Sequence, residues 1–375
     1  MTNPASSPSD QHCVNVSSFE LPGVWWLWVG EVYSDTTINT GNSMHWFFSW
    51  NFALLLLFVP MLSQAQPSDW QAQVEQEAAQ LDRLHTLIVT HQGEELLALD
   101  LRGQGLDTPV NIKSLSKTVL AALVGMGIKN DVLEGTDQPV VETLGNRVPA
   151  SATEGVERIT LGHLLSLQAG LQRTSGGKYG PWVASSNWVS HVLTRPFVDE
   201  PGGRMLYSSG SSHLLSAALT ESAGRSTLSL AREWLGEPLD IDIPPWDQDP
   251  QGVYFGGNNM LLSPRDLVKV GELYRNNGRV GGQQLFPEDW VTESWNGRGE
   301  SAYTDDPYGY GWFLRPMAGE MGYYGRGFGG QVLYVVPSLE LTVVMTSDPT
   351  PPSPGSRYLR QQFQLIEDHI IPALP

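Results

Sequence analysis

Gln331-Val332-Leu333-Tyr334-Val335-Val336-Pro337-Ser338-Leu339-Glu340-Leu341-Thr342-Val343-Val344-Met345 holds two apolar, β-branched runs separated by a Pro-Ser turn. Such runs predict an antiparallel hairpin of Gln331–Val336 and Leu339–Met345. The other end of the chain repeats the arrangement between Leu84 and Leu101. There Leu87-Ile88-Val89-Thr90 and Glu95-Leu96-Leu97-Ala98-Leu99 flank the turn candidate His91-Gln92-Gly93-Glu94. Arg357 to Ile371 adds a closing amphipathic helix, and Pro349 to Pro354 reads as the loop before it.

Between the hairpins the signals are helical. Thr118 to Ile128, Leu161 to Leu167 and Ser211 to Ser222 have helical length and pattern, the last stopping near Gly224. Ser263-Pro264 opens another helix with a cap and a first-turn proline, ending near Asn277-Gly278. Strands from both chain ends with helices inserted between them imply an α+β fold. The expectation is one antiparallel sheet flanked by helices, with a mostly helical lobe at its side. It assigns residues 67–375 to the folded domain, about 67–112 and 245–375 to the sheet and about 113–244 to the helical lobe.

The first 65 residues differ in kind. They contain no Lys or Arg, and the first basic side chain is Arg83. Trp46-Phe47-Phe48 and the run from Phe52 to Leu62 precede Ser63-Gln64-Ala65, a small-x-small pattern suited to signal peptidase. The run is short for a membrane span of about 20 residues. The pattern predicts a signal peptide over 44–65, cleaved after Ala65, and a periplasmic or secreted protein without a stable membrane span thereafter. The positive charge such a signal needs would come from the α-amine if translation starts at Met44, leaving 1–43 a non-native or disordered extension. The competing reading is an N-terminal membrane anchor with residues 1–43 as its tail.

Composition narrows the function. The chain has 375 residues, 22 Lys and Arg against 40 Asp and Glu, and a net charge of −18. Gripping a phosphate backbone needs clustered cations, so nucleic acid is set aside as a partner. The single cysteine, Cys13, excludes an internal disulfide and any Cys-based zinc cluster. There is no Gly-x-Ser-x-Gly elbow, no His-Glu-x-x-His and no Walker loop. Gly325-Arg326-Gly327-Phe328-Gly329-Gly330 matches the dinucleotide fingerprint, but it leads into a strand rather than a helix, so the match is accidental. His163 and His213 lie in apolar helical runs and read as packing residues.

What remains is Ser-x-x-Lys. On a helix this spacing puts both side chains on one face, about 5–6 Å apart at Cβ, where a lysine of lowered pKa can take the serine's proton. The chain holds two copies. Ser175-Gly176-Gly177-Lys178 lies in a Gly-rich stretch poorly suited to a helix. Ser114-Leu115-Ser116-Lys117 runs straight into the apolar helix and is preferred. A phenol beside an ammonium loses its proton more easily, which makes Tyr207 in Tyr207-Ser208-Ser209 a candidate base. Tyr274-Arg275-Asn276 matches the same pattern but ends an amphipathic helix. Backbone N–H groups of Phe328, Gly329, Gly330 or Gln331, at a glycine-rich strand start, could face a developing oxyanion.

In order, Ser114-x-x-Lys117, Tyr207-x-Ser209 and the Gly-Gly strand resemble the three motifs of the penicillin-recognising serine hydrolases, nearest the branch related to class C β-lactamases. Ile159-Thr160-Leu161-Gly162-His163-Leu164-Leu165-Ser166, Glu200-Pro201-Gly202, Leu262-Ser263-Pro264-Arg265-Asp266-Leu267 and Tyr308-Gly309-Tyr310-Gly311-Trp312 look alike too, over roughly residues 75–372. The resemblance implies a helical lobe on an antiparallel sheet and an acyl-enzyme on Ser114. It gives Lys117 and Tyr207 the proton traffic, and the N–H of Ser114 one half of the oxyanion hole. It implies no metal and no cofactor.

Two departures steer the substrate. No lysine follows Lys269, so the Lys-Thr-Gly lysine of true β-lactamases has no counterpart, with Arg326 a candidate substitute. Ser209 stands where class C enzymes have asparagine. Both favour a small neutral ester, amide or peptide-like substrate over a β-lactam. Phe328, Trp182, Trp188 and Tyr323 are candidates to line an apolar acyl pocket. The alternatives are a non-catalytic relative that binds peptidoglycan or a partner, and a DD-peptidase or β-lactamase.

Overall fold

A period of two sends alternate residues of a strand to opposite faces, so a run apolar at every position must be covered on both sides. The computed structural model, which describes residues 69–375, shows such a sandwich. Its sheet has eight strands: β1 (Leu84–His91), β2 (Glu94–Asp100), β3 (Gly299–Glu300), β4 (Pro307–Tyr308), β5 (Phe313–Met317), β6 (Glu320–Gly327), β7 (Gln331–Val336) and β8 (Leu341–Ser347). The spatial order is β2-β1-β8-β7-β6-β5-β4-β3, every pair antiparallel. The two chain ends meet where β1 pairs with β8, Leu87 opposite Met345 and Val89 opposite Val343.

Each buried strand feeds two cores. Ile88, Leu333, Val335 and Val344 face a core shared with the inserted helices. Their neighbours Leu87, Val89, Val332, Tyr334, Val343 and Met345 face the terminal helices α1 (Asp69–Ala79) and α5 (Gly355–Leu365), through residues such as Val74 and Phe363. The α+β arrangement expected from the sequence is therefore the observed one, with helices on both faces. No helix among the described residues is long and apolar enough to cross a membrane. The signal-peptide reading of 44–65 and the extension 1–43 lie outside the described residues.

The turns follow local chemistry. Gln92 and Gly93 both have positive φ, 55° and 84°, as a two-residue hairpin that matches strand twist requires. The β7–β8 connection is longer than the Pro-Ser pair suggests. Pro337–Leu339 forms a 3₁₀ turn and Glu340 is left-handed, so β8 starts at Leu341 rather than Leu339.

Three helices position the site: α2 (Ser116–Lys129), α3 (Ser209–Ala223) and α4 (Pro264–Arg275). α4 begins with a capping box, Ser263 and Asp266 each satisfying the other's backbone N–H. It ends at Arg275, so Tyr274-Arg275-Asn276 is a helix terminus, as expected. α2 is buried along its length from Ser116 to Gly127 and runs through the core between sheet and helical lobe. A fully buried Leu or Val contributes about 1.5–3 kcal/mol, so this helix is anchored firmly enough to hold strain at its start.

Candidate active site

That strain is visible. Lys113, just before the serine of the preferred motif, has φ 53°, a conformation that costs a non-glycine residue about 1–3 kcal/mol. The neighbouring backbone over-determines it. Asn111 Oδ1 accepts the Lys113 N–H at 2.9 Å, and the Ile112 N–H donates to the Met260 carbonyl at 3.0 Å. Ser116 Oγ donates to the Lys113 carbonyl at 2.6 Å and accepts the Met260 N–H at 3.1 Å. Ser114 thus lies in a 3₁₀ turn, Lys113–Leu115, ahead of α2, not on the α-helix that the spacing suggests. Three residues per turn eclipse positions i and i+3, so Ser114 and Lys117 still meet.

Lys117 is only 5% exposed, and each of its three ammonium donors has an acceptor. Nζ donates to Ser114 Oγ at 3.2 Å, to Ser209 Oγ at 3.2 Å and to the Gly257 carbonyl at 2.6 Å. Burial pushes its pKa down, against the opposing pull of Tyr207. Nζ also lies 4.9 Å from the centre of the Tyr207 ring. Burial by itself raises the Tyr207 pKa. The Lys117 charge, a hydrogen bond with Ser114, the Arg326 charge and a hydrogen bond with Lys117 together outweigh it, and the phenol sits below its ordinary value. Serine, lysine and tyrosine thus form one hydrogen-bonded cluster, and the structure brings all three predicted residues together.

Tyr207 and Ser209 are held from outside their own segment. Ser208 occupies the cap position of α3 but makes no capping bond. The free N–H groups of Ser209 and Gly210 donate instead to Ser175 Oγ and Thr174 Oγ1, each at 2.9 Å. The Thr174 N–H in turn donates to Ser208 Oγ at 3.2 Å. Sequence reading missed both partners. A trans cap leaves no local signature, and the Gly257 contact is a backbone carbonyl that no side-chain motif can reveal. The pair Gly256-Gly257 is the one hint of a close approach.

The glycine-rich end of β6 runs beside the serine. A Cβ on Gly327 would sit 2.2 Å from the Ile112 carbonyl, so only glycine lets the strand lie this close. The Gly327 carbonyl accepts the Gly330 N–H at 3.2 Å, and Gly327 pairs with Gln331 across the hairpin. In the trans peptide that follows, the N–H of Phe328 points the opposite way, off the open side of β6. Of the four predicted N–H donors, Gly330 and Gln331 are thereby turned into the hairpin. The Gln331 side chain is also occupied, its Nε2 donating to the Ser347 carbonyl at 2.6 Å and its Oε1 accepting the Ser347 N–H at 3.1 Å. Gly329, with φ 89°, lies against Asp348 and Pro349 in the turn.

A cavity of about 390 Å³ opens over this cluster. Ser114, Ser175, Tyr207, Arg326 and Phe328 lie in its walls, and the first turns of α5 form the far side. Among the described residues no Asp or Glu lines it, in a chain of net charge −18. Among the described residues Arg326 has no ion-pair partner; its guanidinium stands 4.9 Å from the centre of the Phe313 ring. Of the four aromatics expected around an acyl pocket, only Phe328 lines the cavity, and it is 42% exposed. Trp182 and Trp188 are core residues clustered with His213 and Phe255, and Tyr323 stacks on Trp295 at 4.0 Å. The histidines are packing residues, as expected. His163 Nδ1 accepts the Thr160 N–H in a helix cap, and His213 Nε2 pairs with Asp249 at 3.1 Å in full burial. In the second Ser-x-x-Lys copy the Gly-rich stretch forms a single 3₁₀ turn, Gly176–Lys178, with Lys178 exposed.

A family model described as Beta-lactamase matches residues 84–365 of the chain. Solved structures align over most of it. A penicillin-binding protein homologue from Caulobacter crescentus is 16% identical with a TM-score of 0.64, covering 80% of this chain and 96% of its own. An octameric penicillin-binding protein homologue from Pyrococcus abyssi is 17% identical with a TM-score of 0.61, covering 79% and 76%. A D-stereospecific amidohydrolase from Streptomyces sp. is 15% identical with a TM-score of 0.62, covering 81% and 99%. A search of curated proteins returns no match.

Proposed function

The chain belongs to the beta-lactamase family, and from that premise we propose that it is a serine hydrolase that forms an acyl-enzyme on Ser114 and cleaves an ester or amide. The observation that carries the reading is Lys117, buried with Nζ 3.2 Å from Ser114 Oγ and beside Tyr207. Ser114 Oγ attacks the carbonyl carbon. Its proton goes to the Tyr207 phenolate, which the Lys117 and Arg326 charges favour. Charge builds on the carbonyl oxygen, which the N–H groups of Ser114 and Phe328 would receive. The leaving group departs with a proton drawn from the Lys117 side, and Tyr207 passes its own proton to the amine left behind. The restored phenolate takes a proton from the water that attacks the acyl carbon and returns it to Ser114 Oγ as the acid leaves. Ser209 keeps Lys117 aimed at Ser114.

Within the family an esterase or amidase fits better than a β-lactamase or DD-peptidase. Among the described residues no lysine lines the cavity, and Arg326 is the cation that does. The similarity to an amidohydrolase points the same way. The test is hydrolysis of p-nitrophenyl butyrate by residues 66–375, with Ser114→Ala alongside. Turnover that disappears in the variant establishes the nucleophile, and equal rates remove Ser114 from that role. A fold that binds without turnover would leave both proteins inactive. We further propose export through the segment 44–65, on its apolar run and the Ser63-Gln64-Ala65 site. N-terminal sequencing of the protein from an expressing cell's outer compartment checks it: a mature chain starting at Gln66 is expected, and retention in the cytoplasm argues against export.

A further inference from the structure

The second Ser-x-x-Lys copy has no part in the reaction above, yet its serine stands in the same cavity as Ser114. Ser175 Oγ is 3.3 Å from Ser209 Oγ, which is 3.2 Å from Lys117 Nζ. Proton-carrying atoms therefore run without a gap from a buried ammonium to the cavity. The chain answers a need. Once Ser114 Oγ is bonded to the tetrahedral carbon it has no proton to give, and the Gly257 carbonyl carries no transferable proton. Tyr207 and Ser209 are the hydroxyls left beside Lys117. Ser209 is 4% exposed, and Ser175 is its hydroxyl neighbour on the cavity side.

We propose that Ser175 is the cavity end of a proton relay, Lys117–Ser209–Ser175, that protonates the leaving group, and that the site is built for substrates whose leaving group needs that proton: alkyl esters and amides. The proposal rests on the serine-hydrolase reading and deepens it. As the tetrahedral carbon expels the leaving atom, the C–O or C–N bond breaks with its electron pair on that atom. The Ser175 proton moves to it, the Ser209 proton moves to Ser175, and one Lys117 proton moves to Ser209. Each serine gains one proton and loses one, and the lysine ends as a neutral amine, the form its burial favours. Ser175 Oγ has the capacity for this. At rest Ser175 Oγ accepts the Ser209 N–H and donates its own proton to Ser209 Oγ; turned toward the leaving group, that hydroxyl frees the lone pair that takes the Ser209 proton.

The experiment compares kcat/KM for ethyl butyrate and p-nitrophenyl butyrate in the wild type, Ser175→Ala and Ser175→Thr. The two esters share an acyl group, but nitrophenolate departs unprotonated and ethoxide does not. In Ser175→Ala the rate ratio of ethyl to nitrophenyl ester should fall at least about tenfold, as loss of a general acid predicts. Ser175→Thr keeps the hydroxyl and should restore the ratio. A parallel fall on both esters would mean that Ser175 merely caps α3, and would overturn the relay. An unchanged ratio, or a wild type that cleaves only the nitrophenyl ester, overturns it as well. Turnover of the nitrophenyl ester that survives Ser114→Ala is a different failure, that of the serine-hydrolase reading itself.

Discussion

Ser114-Leu115-Ser116-Lys117 and Ser175-Gly176-Gly177-Lys178 present the same spacing and meet opposite fates. In the first, a strained 3₁₀ turn feeds a helix that is buried along its length, so the lysine is forced inward onto its serine. In the second, two glycines make one exposed turn and the lysine points to solvent. The spacing does not create the lysine–serine contact; the burial of α2 does. The second serine reaches the same cavity by another route, as an acceptor for the backbone of α3.

The comparison can be broken at several points. The largest effect should come from Ser114→Ala, which should lower ester turnover on the order of a thousandfold or more, measured as kcat/KM. Lys117→Met should cost about a hundredfold to ten-thousandfold, the range for a lost proton-transfer partner. Lys178→Ala should leave turnover within the error of the assay. A comparable loss there would mean that the two motifs are not functionally distinct.

Arg326→Ala should act through pH. In the proposed mechanism the base is the Tyr207 phenolate, so rate rises as pH climbs through the phenol pKa, which lies below the ordinary 10.0. Removing the Arg326 cation disfavours the phenolate, raises that pKa and moves the rising limb of kcat/KM to higher pH. A limb that stays in place would deny the coupling. Stability should respond least. Ser175→Ala removes an acceptor from a helix N-terminus and should lower unfolding free energy by about 1 kcal/mol in urea melts, with Lys178→Ala within about 0.5 kcal/mol of wild type. If Lys178→Ala proved the more destabilising of the two, the trans cap would not be holding α3.

The sequence by itself determined the two terminal hairpins, the inserted helices and the Ser114, Lys117 and Tyr207 set. Apolar periodicity and turn chemistry are local, and a buried two-faced strand shows as an unbroken apolar run. It also separated Tyr207 from Tyr274, because a capped helix with a proline start announces where it ends. Only the tertiary structure decided the rest. Trp182, Trp188 and Tyr323 look like pocket aromatics in sequence, but neighbours far along the chain place them in packed clusters. The choice among Phe328, Gly329, Gly330 and Gln331 depends on which way each peptide faces, and hairpin pairing sets that. Ser175 reaches Ser209 across 34 residues of sequence through a hydroxyl, and Gly257 reaches Lys117 across 140 through a backbone carbonyl. Contacts of that kind arise from packing geometry, which a residue's own neighbours do not encode.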